Sequence, residues 1–462
     1  MGVPLSKTRL VVIGGSAAGM SAASQAKRRD PNVEVVVFEA GRDVSYLSCG
    51  LPYFLGGVVA DLDELYAIGK DALTRQRGLQ VRTGMPAVQI DTRAARVRVI
   101  DRETGAETIE AYDALCIATG ASVTVPEVGG RPMAGVFTLR NPDDAIRIRD
   151  YIQTQKPRTA AILGAGYLGL EMAENLANCG MSITVIERQS SVMSHIGPEI
   201  GQSVIRVLHD NGVEILLDTE IDQLDGDVKV RCVRTTTQDV DADLVVLATG
   251  ITPNSQIAVD AGIRVGAAGA IAVDEYQETS TPGIFAAGDC AESLHLVTGR
   301  KTYVPLGPTA NKQGRVAGAN AVGGREVFHG IVGTRIVRIF GLEVARTGLT
   351  QTEAIEAGYS VEAKTVKAGS RANYFPGGGE VFVKIVYDRE DGRMLGAQIC
   401  GPEGVKGRID VCATALTRRM TVAEFADLDL AYAPPFSPVW DPILVASNVA
   451  KRGLRVTRPK SE

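Results

Sequence analysis

Two glycine-rich turns constrain the fold of this 462-residue chain more than any other feature. Each turn follows a strand of mainly aliphatic residues and precedes a helix and a second strand that ends in a glutamate. The first spans residues 14–19 and leads to Glu39, and the second spans residues 164–169 and leads to Glu187. In such a unit a pyrophosphate lies at the helix N-terminus, and the acid accepts a hydrogen bond from a ribose hydroxyl. Two copies predict two dinucleotide-binding units in an α/β protein.

The residues inside each turn have separate predicted roles. Gly14 permits the tight turn, and Gly19 lets the helix pack closely on the strand. The second turn keeps all three glycines of the pattern, whereas the first has a serine at the middle position. The turn residues expected to surround the two dinucleotides are Gly14, Ser16, Ala17, Ala18, Gly19, Gly164, Gly166, Tyr167, Leu168 and Gly169.

Composition excludes several classes of protein. A net charge of −5 offers no basic surface for nucleic acid, and no run approaches the ~20 apolar residues that a membrane helix needs. The seven cysteines contain no C-x-x-C pair, so the sequence predicts neither a metal site nor a disulfide framework. We therefore expect a cytoplasmic protein that binds neither nucleic acid nor a membrane.

A solitary cysteine, Cys49, follows the first unit shortly after its glutamate. Two neighbouring cysteines can close their own bridge, whereas a lone thiolate must form a mixed disulfide, a persulfide or a sulfenic acid with an external molecule. Cys49 precedes Gly50, Leu51 and Pro52, a predicted first helical turn whose N-terminus is expected to lower the pKa of the thiol. Cys49 is therefore a candidate redox nucleophile.

Several later segments contain residues that are typical of strand ends, turns and helix starts. Two buried strands end in small residues at 118–120 and at Gly250, where we expect the chain to cross between domains. A short strand delivers Asp289 to a turn, where its carboxylate could bind a sugar hydroxyl or cap a helix. Residues 305–315 read as a loop that enters a helix. After residue 333 the sequence contains strands in which apolar and polar residues alternate, and then a helix from about residue 406 to 419. This pattern predicts an α+β domain with an antiparallel sheet.

Together these segments resemble the FAD and nicotinamide signatures of the pyridine nucleotide-disulfide oxidoreductases, over essentially the whole chain. The segments 49–53 and 431–437 resemble the single-cysteine branch of that family, and the coenzyme A-disulfide reductases in particular. The resemblance implies two Rossmann-like domains, one for FAD (residues 1–125 and 254–329) and one for NAD(P)H (residues 126–253). It also implies a C-terminal α+β dimerisation domain (residues 330–462) and a homodimer whose active site is shared between subunits.

The resemblance also assigns roles to individual residues. Tyr374 and Tyr432 would assist from the partner subunit, where a phenol can protonate a departing thiolate. Outside the glycine turns, the implied FAD-binding residues are Glu39, Ala118, Thr119, Gly120, Asp289 and Ala310, and the implied NAD(P)H-binding residues are Glu171, Glu187, Arg188 and Gly250. The implied substrate-binding residues are Ser21, Gln25, Arg28, Ser45, Ser48, Arg77 and Trp440. Ser48 and Trp440 depart from the family, which has Asn and a basic residue there.

The preference between NADH and NADPH stays open. Glu187 favours an unphosphorylated ribose and repels a 2′-phosphate, whereas the adjacent Arg188 could accommodate one. Tyr167 resembles the family's gating tyrosine, which shields the flavin until the nicotinamide displaces it. Glu171 is expected beside the nicotinamide and the flavin.

The sequence thus predicts an FAD-dependent NAD(P)H:disulfide reductase in which Cys49 forms a mixed disulfide with a small molecule. Coenzyme A disulfide, another small thiol and a per- or polysulfide all remain candidate substrates. One alternative is an NADH oxidase or peroxidase, although Ala17 stands where those enzymes carry a histidine. The other alternative is a redox-sensing flavoprotein without turnover.

Overall fold

The computed structural model describes residues 8–69, 72–73, 77–126 and 133–454. Its helices are α1 (Ala17–Arg29), α2 (Leu51–Leu55), α3 (Pro142–Gln155), α4 (Tyr167–Asn178), α5 (Pro198–Asp210), α6 (Gln256–Asp260), α7 (Gly307–Asn320), α8 (Gln351–Glu356), α9 (Val405–Thr417), α10 (Val422–Ala426) and α11 (Pro442–Gly453).

The strands of the described residues fall into three large sheets and several small ones. They are β1 (Arg9–Ile13), β2 (Glu34–Glu39), β3 (Gln80–Thr83), β4 (Ala87–Asp91), β5 (Arg96–Ile100), β6 (Glu107–Ala111), β7 (Ala114–Ile117), β8 (Ala121–Val123), β9 (Val136–Phe137), β10 (Thr159–Leu163), β11 (Ser182–Ile186), β12 (Glu214–Leu216), β13 (Ile221–Gly226), β14 (Val230–Thr235), β15 (Asp239–Asp241), β16 (Leu244–Leu247), β17 (Ile251–Pro253), β18 (Ile284–Ala286), β19 (Ser293–Leu294), β20 (Lys301–Thr302), β21 (Arg335–Ile339), β22 (Leu342–Gly348), β23 (Val361–Gly369), β24 (Glu380–Asp388) and β25 (Met394–Gly401).

The first sheet is parallel and has the order β18-β7-β1-β2-β3. Its central strands are buried on both faces, as expected of strands rich in Val and Ile in a parallel sheet. Helices α1 and α7 pack on one face at very short range. A Cβ on Gly314 would lie 2.2 Å from the Ala18 carbonyl oxygen, and one on Gly318 would lie 2.1 Å from that of Ala22. These two glycines therefore set the distance between the helices.

The second sheet repeats this plan with the order β12-β11-β10-β16-β9, again parallel. A small antiparallel sheet, β13-β14-β15, packs on one face of it. The antiparallel pair β8-β17 carries the chain from the first sheet toward the second and back. Both predicted crossings, near residues 118–120 and Gly250, lie next to this pair. The two Rossmann-like units predicted from the glycine turns are thus present.

The third sheet is antiparallel, with the order β21-β22-β25-β24-β23. The prediction that its strands alternate between buried and exposed residues is wrong for β24, where every residue after Glu380 is buried. Helices α9 and α11 cover one face of this sheet. The other face packs on the second unit, where Lys384 forms an ion pair with Glu199 (2.9 Å). The predicted helix 406–419 is α9, which begins at Val405 and ends at Thr417.

Contacts between the second and third sheets are polar as well as apolar. The amide of Gly197 donates to Gln398 Oε1 (2.9 Å), and the amide of Phe340 donates to Glu174 Oε2 (2.8 Å). The exact domain boundaries stay a prediction. None of the described helices is long and apolar enough to cross a membrane. In the described part of the chain, no group of three or more His, Cys, Asp or Glu side chains is arranged to hold a metal ion.

Candidate active site

A cleft of about 560 Å³ opens at the carboxyl ends of β1, β7 and β18. This is the edge where dinucleotides bind in open α/β sheets. Ten of the eleven residues predicted to bind FAD line it: Gly14, Ser16, Ala17, Ala18, Glu39, Ala118, Thr119, Gly120, Asp289 and Ala310. The eleventh, Gly19, lies inside α1, where a Cβ would approach the Gly14 carbonyl oxygen to 1.8 Å. Gly19 therefore serves helix packing, as its place in the motif predicts.

The backbone of this cleft fits a dinucleotide. Gly14 has φ +105°, and a Cβ there would lie 2.1 Å from the Ala118 carbonyl oxygen, so the turn requires glycine. No side chain caps the start of α1 at Ser16, which leaves the first-turn amides available to phosphate oxygens. The Glu39 carboxylate accepts from the amides of Gly15 (2.6 Å) and Gly41 (2.7 Å), which holds it rigidly at the end of β2.

An ion pair that the sequence did not reveal forms one wall of the cleft. Arg140 Nη2 donates to Asp289 Oδ2 at 2.5 Å, and its Nε donates to the Ala121 carbonyl oxygen at 3.1 Å. The backbone amide of Arg140 donates to Asp144 Oδ2 at 2.8 Å, and Asp144 also forms a capping box with Asn141 at the start of α3. That box is a local signal for the helix start, but nothing local indicates a partner 149 residues away. Asp289 thus neither caps a helix nor stands alone.

Cys49 lies where the sequence predicts, in a tight turn (Ser48–Gly50) that leads directly into α2. Both Ser48 and Cys49 line the cleft. The prediction that a helix N-terminus lowers the pKa of this thiol is wrong for the chain itself. Loss of hydration inside the protein raises the pKa of Cys49, and the nearby carboxylate of Glu171 raises it further. Helix α2 has only five residues, so the dipole expected to favour the thiolate is small.

Glu171 forms a hydrogen-bonded pair with Tyr53. The Tyr53 hydroxyl donates to Glu171 Oε1 at 3.2 Å, which joins the helix after Cys49 to the helix after the second glycine turn. Burial raises the pKa of Glu171 to about 7, and burial together with that carboxylate raises the pKa of Tyr53 to about 12. Glu171 can therefore hold or release a proton near Cys49 at neutral pH.

The second glycine turn has the same geometry as the first. Gly164 has φ +109°, and a Cβ there would lie 2.5 Å from the Ala248 carbonyl oxygen. Gly169 is close-packed against Gly164, whereas a Cβ on Gly166 or Gly250 would meet no atom within 4 Å. The open space at Gly166 is what a pyrophosphate needs to approach the backbone.

The acid of this second unit is held in place by backbone amides. Glu187 accepts from the amides of Ala165 and Gln189, both at 2.8 Å, while Arg188 is exposed beside it. Tyr167 and Leu168 are half-buried at the start of α4. The predicted nicotinamide-binding residues are therefore gathered around one turn.

A second, smaller cavity of about 210 Å³ shares Ser16, Ala17 and Tyr46 with the cleft. Four of the predicted substrate residues line it: Ser21, Arg28, Ser45 and Arg77. Gln25 does not line it and instead accepts from Arg28 Nη1 at 3.2 Å. Among the lining residues that sequence reasoning missed are Ser24 on α1 and two residues, Asn311 and Arg315, that α7 brings from far along the chain.

The two predicted catalytic tyrosines lie on the C-terminal unit. The hydroxyls of Tyr374 and Tyr432 are 3.3 Å apart, and both side chains are exposed, as is Trp440. None of the three lines either cavity within this chain. Phe436 and Val439 are also exposed in this part of the chain. We call the five residues Tyr374, Tyr432, Phe436, Val439 and Trp440 the exposed aromatic surface.

A cleft at the first glycine turn with a cysteine on its wall, a second glycine turn of the same geometry and an antiparallel C-terminal unit together define a class of oxidoreductases. The chain belongs to the pyridine nucleotide-disulphide oxidoreductase family: the family model matches residues 8–314, and that of the family's dimerisation domain matches residues 335–442.

Among its relatives is the NAD(P)H coenzyme A polysulfide/persulfide reductase of Pyrococcus horikoshii, 40% identical over 96% of this chain and 99% of that protein. An NADH oxidase of Methanocaldococcus jannaschii is 33% identical over 96% of this chain and 99% of that protein. Two solved structures are close matches. The NAD-dependent persulfide reductase of A. fulgidus has a TM-score of 0.94 and 39% identity, covering 96% of this chain and 83% of that chain. The Bacillus anthracis CoADR-RHD has a TM-score of 0.93 and 33% identity, covering 97% and 81%.

Proposed function

We propose that this chain is an FAD-dependent enzyme that uses NAD(P)H to reduce the sulfur–sulfur bond of a small coenzyme A-linked disulfide, persulfide or polysulfide at Cys49. The observation that carries the proposal is the position of Cys49, a lone thiol on the wall of a dinucleotide cleft. The relatives whose names include coenzyme A and persulfide support the choice of substrate class.

We assign one cofactor to each glycine turn, as the resemblance to the family implies. The cleft at residues 14–19 would hold FAD, and the turn at residues 164–169 would hold the nicotinamide nucleotide. Bound there, the flavin supplies the ability to accept a hydride and pass two electrons to a sulfur. We assign residues 1–125 and 254–329 to the FAD domain, residues 126–253 to the NAD(P)H domain and residues 330–462 to the dimer interface.

The smaller cavity supports an anionic substrate. It is lined by three arginines, Arg28, Arg77 and Arg315, with hydroxyl and amide groups between them. Arg77 is held by a hydrogen bond to Ser24 (2.7 Å) and Ser21 by one to Asn311 (2.6 Å). Guanidinium groups suit the phosphates of coenzyme A. This cavity shares three lining residues with the cleft that contains Cys49, so we propose that a substrate whose phosphate is held there directs its sulfur toward the thiol.

The chemistry at sulfur is an exchange reaction. The Cys49 thiolate attacks one sulfur of the substrate, forming a mixed disulfide and expelling the other half as a thiolate, which takes up a proton. Two electrons from the nicotinamide then cleave the mixed disulfide and regenerate the Cys49 thiolate and the second product thiol. Tyr432, paired with Tyr374, would supply the proton across the interface of a homodimer. All seven cysteines are free in the described residues, which suits the reducing cytoplasm where we place the reaction.

Cys49→Ser tests the proposal directly. The expected result is loss of NAD(P)H-dependent reduction of coenzyme A disulfide and of coenzyme A persulfide by at least ~100-fold, with flavin content unchanged. Mass spectrometry of the unaltered protein as isolated should find a thiol adduct on Cys49. Retention of full turnover by the serine variant would refute the mechanism. Fast oxygen-dependent NADH consumption without a disulfide would favour an oxidase, despite the methyl group of Ala17 where a proton donor is expected.

A further inference from the structure

A cluster of basic side chains lies where the three units meet, in which Arg346 and His295 are buried, Arg335 is half-buried and His195 is exposed. It consists of Arg335 and Arg346, directly opposite each other on β21 and β22, together with His195 and His295 from the other two units. One carboxylate, Glu353, faces the cluster. Like charges opposite each other on adjacent strands are destabilising, so this pair of arginines needs compensation from other groups.

The two arginines are compensated very differently. Arg346 forms a bidentate pair with Glu353 (3.1 and 2.5 Å) and also donates to the carbonyl oxygens of Gly348 and His195. Arg335 forms neither a hydrogen bond nor an ion pair with any described residue, and its Nε is buried without a partner. The charge of Arg335 is therefore not used to stabilise the cluster.

Arg335 faces the ring of Tyr167. Its guanidinium carbon lies 5.9 Å from the ring centroid, within the range of a cation–π contact. The position of β21 is fixed, because the residue directly after it, Phe340, donates its backbone N–H to Glu174 Oε2 further along α4. The start of β21 is thereby held against the start of α4, where Tyr167 follows the second glycine turn.

We propose that Arg335 is a positioning residue that holds the Tyr167 ring in its present place, so that an arriving nicotinamide must displace the ring from the guanidinium before it can bind. The inference deepens the proposed function, because it depends on nucleotide binding at residues 164–169. Nucleotide can bind only to molecules in which the Tyr167 ring has left its present place. Because the contact with Arg335 makes such molecules rarer, it lowers the apparent affinity for the nucleotide in proportion to their fraction. The C-terminal unit, which supplies Arg335, thus tunes access to a site on another unit.

Arg335→Met tests this, because methionine keeps much of the apolar stem and removes the charge. The expected result for the holoenzyme is a two- to fivefold lower Kd for NAD⁺, measured by calorimetric titration, and a matching fall in KM for NADH with kcat unchanged. The melting temperature should not fall, since the variant removes an uncompensated cation opposite Arg346. A purely structural role would instead lower it. Arg335→Lys should restore part of the effect.

A double-mutant cycle identifies the partner. In a Tyr167→Ala background, Arg335→Met should leave the Kd for NAD⁺ unchanged, because the ring on which Arg335 acts is absent. Arg393→Met is the matched control: that arginine lies 5.4 Å from the ring of Tyr359, in the same C-terminal unit but with a different tyrosine. It should leave nucleotide affinity unaltered.

Three outcomes would overturn the inference. They are an unchanged Kd in Arg335→Met, a weakened affinity that would show direct contact with the nucleotide, and an undiminished effect in the Tyr167→Ala background. Failure of the unaltered holoenzyme to bind either NAD⁺ or NADP⁺ would instead refute the proposed function, and the positioning role with it. The two failures are therefore distinguishable.

Discussion

At the scale of single residues, Cys49 and Glu171 show what local pattern does and does not determine. The turn before a proline-containing helix places the thiol correctly, because that signal lies within five residues of sequence. The direction of its pKa shift could not be predicted, since it depends on hydration and on a carboxylate more than a hundred residues away. The Tyr53–Glu171 pair depends on the same tertiary contact.

Removal of the Glu171 charge should make Cys49 more reactive. Glu171→Gln leaves an oxygen to accept from the Tyr53 hydroxyl but removes one cause of the raised pKa of Cys49. We expect iodoacetamide to alkylate Cys49 about two- to tenfold faster in the variant at pH 8, since the thiolate is the nucleophile. Equal alkylation rates in the variant and the unaltered protein would show that Glu171 does not act on the thiol.

The same substitution should change how stability depends on pH. The pKa of Glu171 is raised to about 7 in the folded protein, from an unperturbed value near 4.5. Its stabilising contribution is therefore complete below about pH 4.5 and is lost as the pH rises through 7, by at most about 3 kcal/mol. Glu171→Gln should gain stability relative to the unaltered protein between pH 5 and pH 8, followed by thermal denaturation. A difference in melting temperature that is constant with pH would contradict this.

At the scale of elements, the glycine turns were predictable because each role is set by neighbours within one βαβ unit. Residues 14–19 and 164–169 have the close approaches that the pattern implies. The pairing of Arg140 with Asp289 and the contribution of Arg315 to the smaller cavity were not predictable. Both need segments from distant parts of the chain to meet, and periodicity in one segment carries no information on that.

Two glycines of the second turn should respond oppositely to alanine. Gly166→Ala places a methyl group in open space, so we expect an unchanged melting temperature and at least tenfold weaker binding of NAD⁺. Gly164→Ala forces a side chain onto a residue with φ +109° and into the Ala248 carbonyl oxygen, and should cost about 2 kcal/mol or more of stability. Calorimetry of both variants measures the contrast. Loss of stability in Gly166→Ala would mean that its open space has a structural rather than a binding role.

At the scale of the whole molecule, the exposed aromatic surface is left uncovered in a single chain. Phe436 is 77% exposed and Tyr374 76%, in a unit that matches the family's dimerisation domain. Apolar patches of this kind mark surfaces that a partner covers. The tyrosines' distance from both cavities within one chain has the same explanation in our proposal, since a second subunit would bring them to Cys49.

Disrupting this surface should separate assembly from folding. Phe436→Asp is expected to shift the protein from dimer to monomer in light scattering and to reduce disulfide reductase turnover by at least tenfold, with little change in the circular dichroism spectrum. Ile109→Asp is the control, because Ile109 is 62% exposed on β6 of another unit. If both variants stay dimeric and active, the aromatic surface is not the interface.

The edge position of β18 in the first sheet has a consequence for folding during synthesis. Its neighbour β7 ends at Ile117, and β18 begins at Ile284, so 284 − 117 = 167 residues of chain must leave the ribosome between them. At a synthesis rate of about 5–20 residues per second this takes roughly ten to thirty seconds. During that interval β7 presents unpaired backbone groups that can recruit a foreign strand. Nascent chains should therefore depend on chaperones until β18 emerges. In the folded protein β18 pairs with β7, so the exposed strand edge is no longer present.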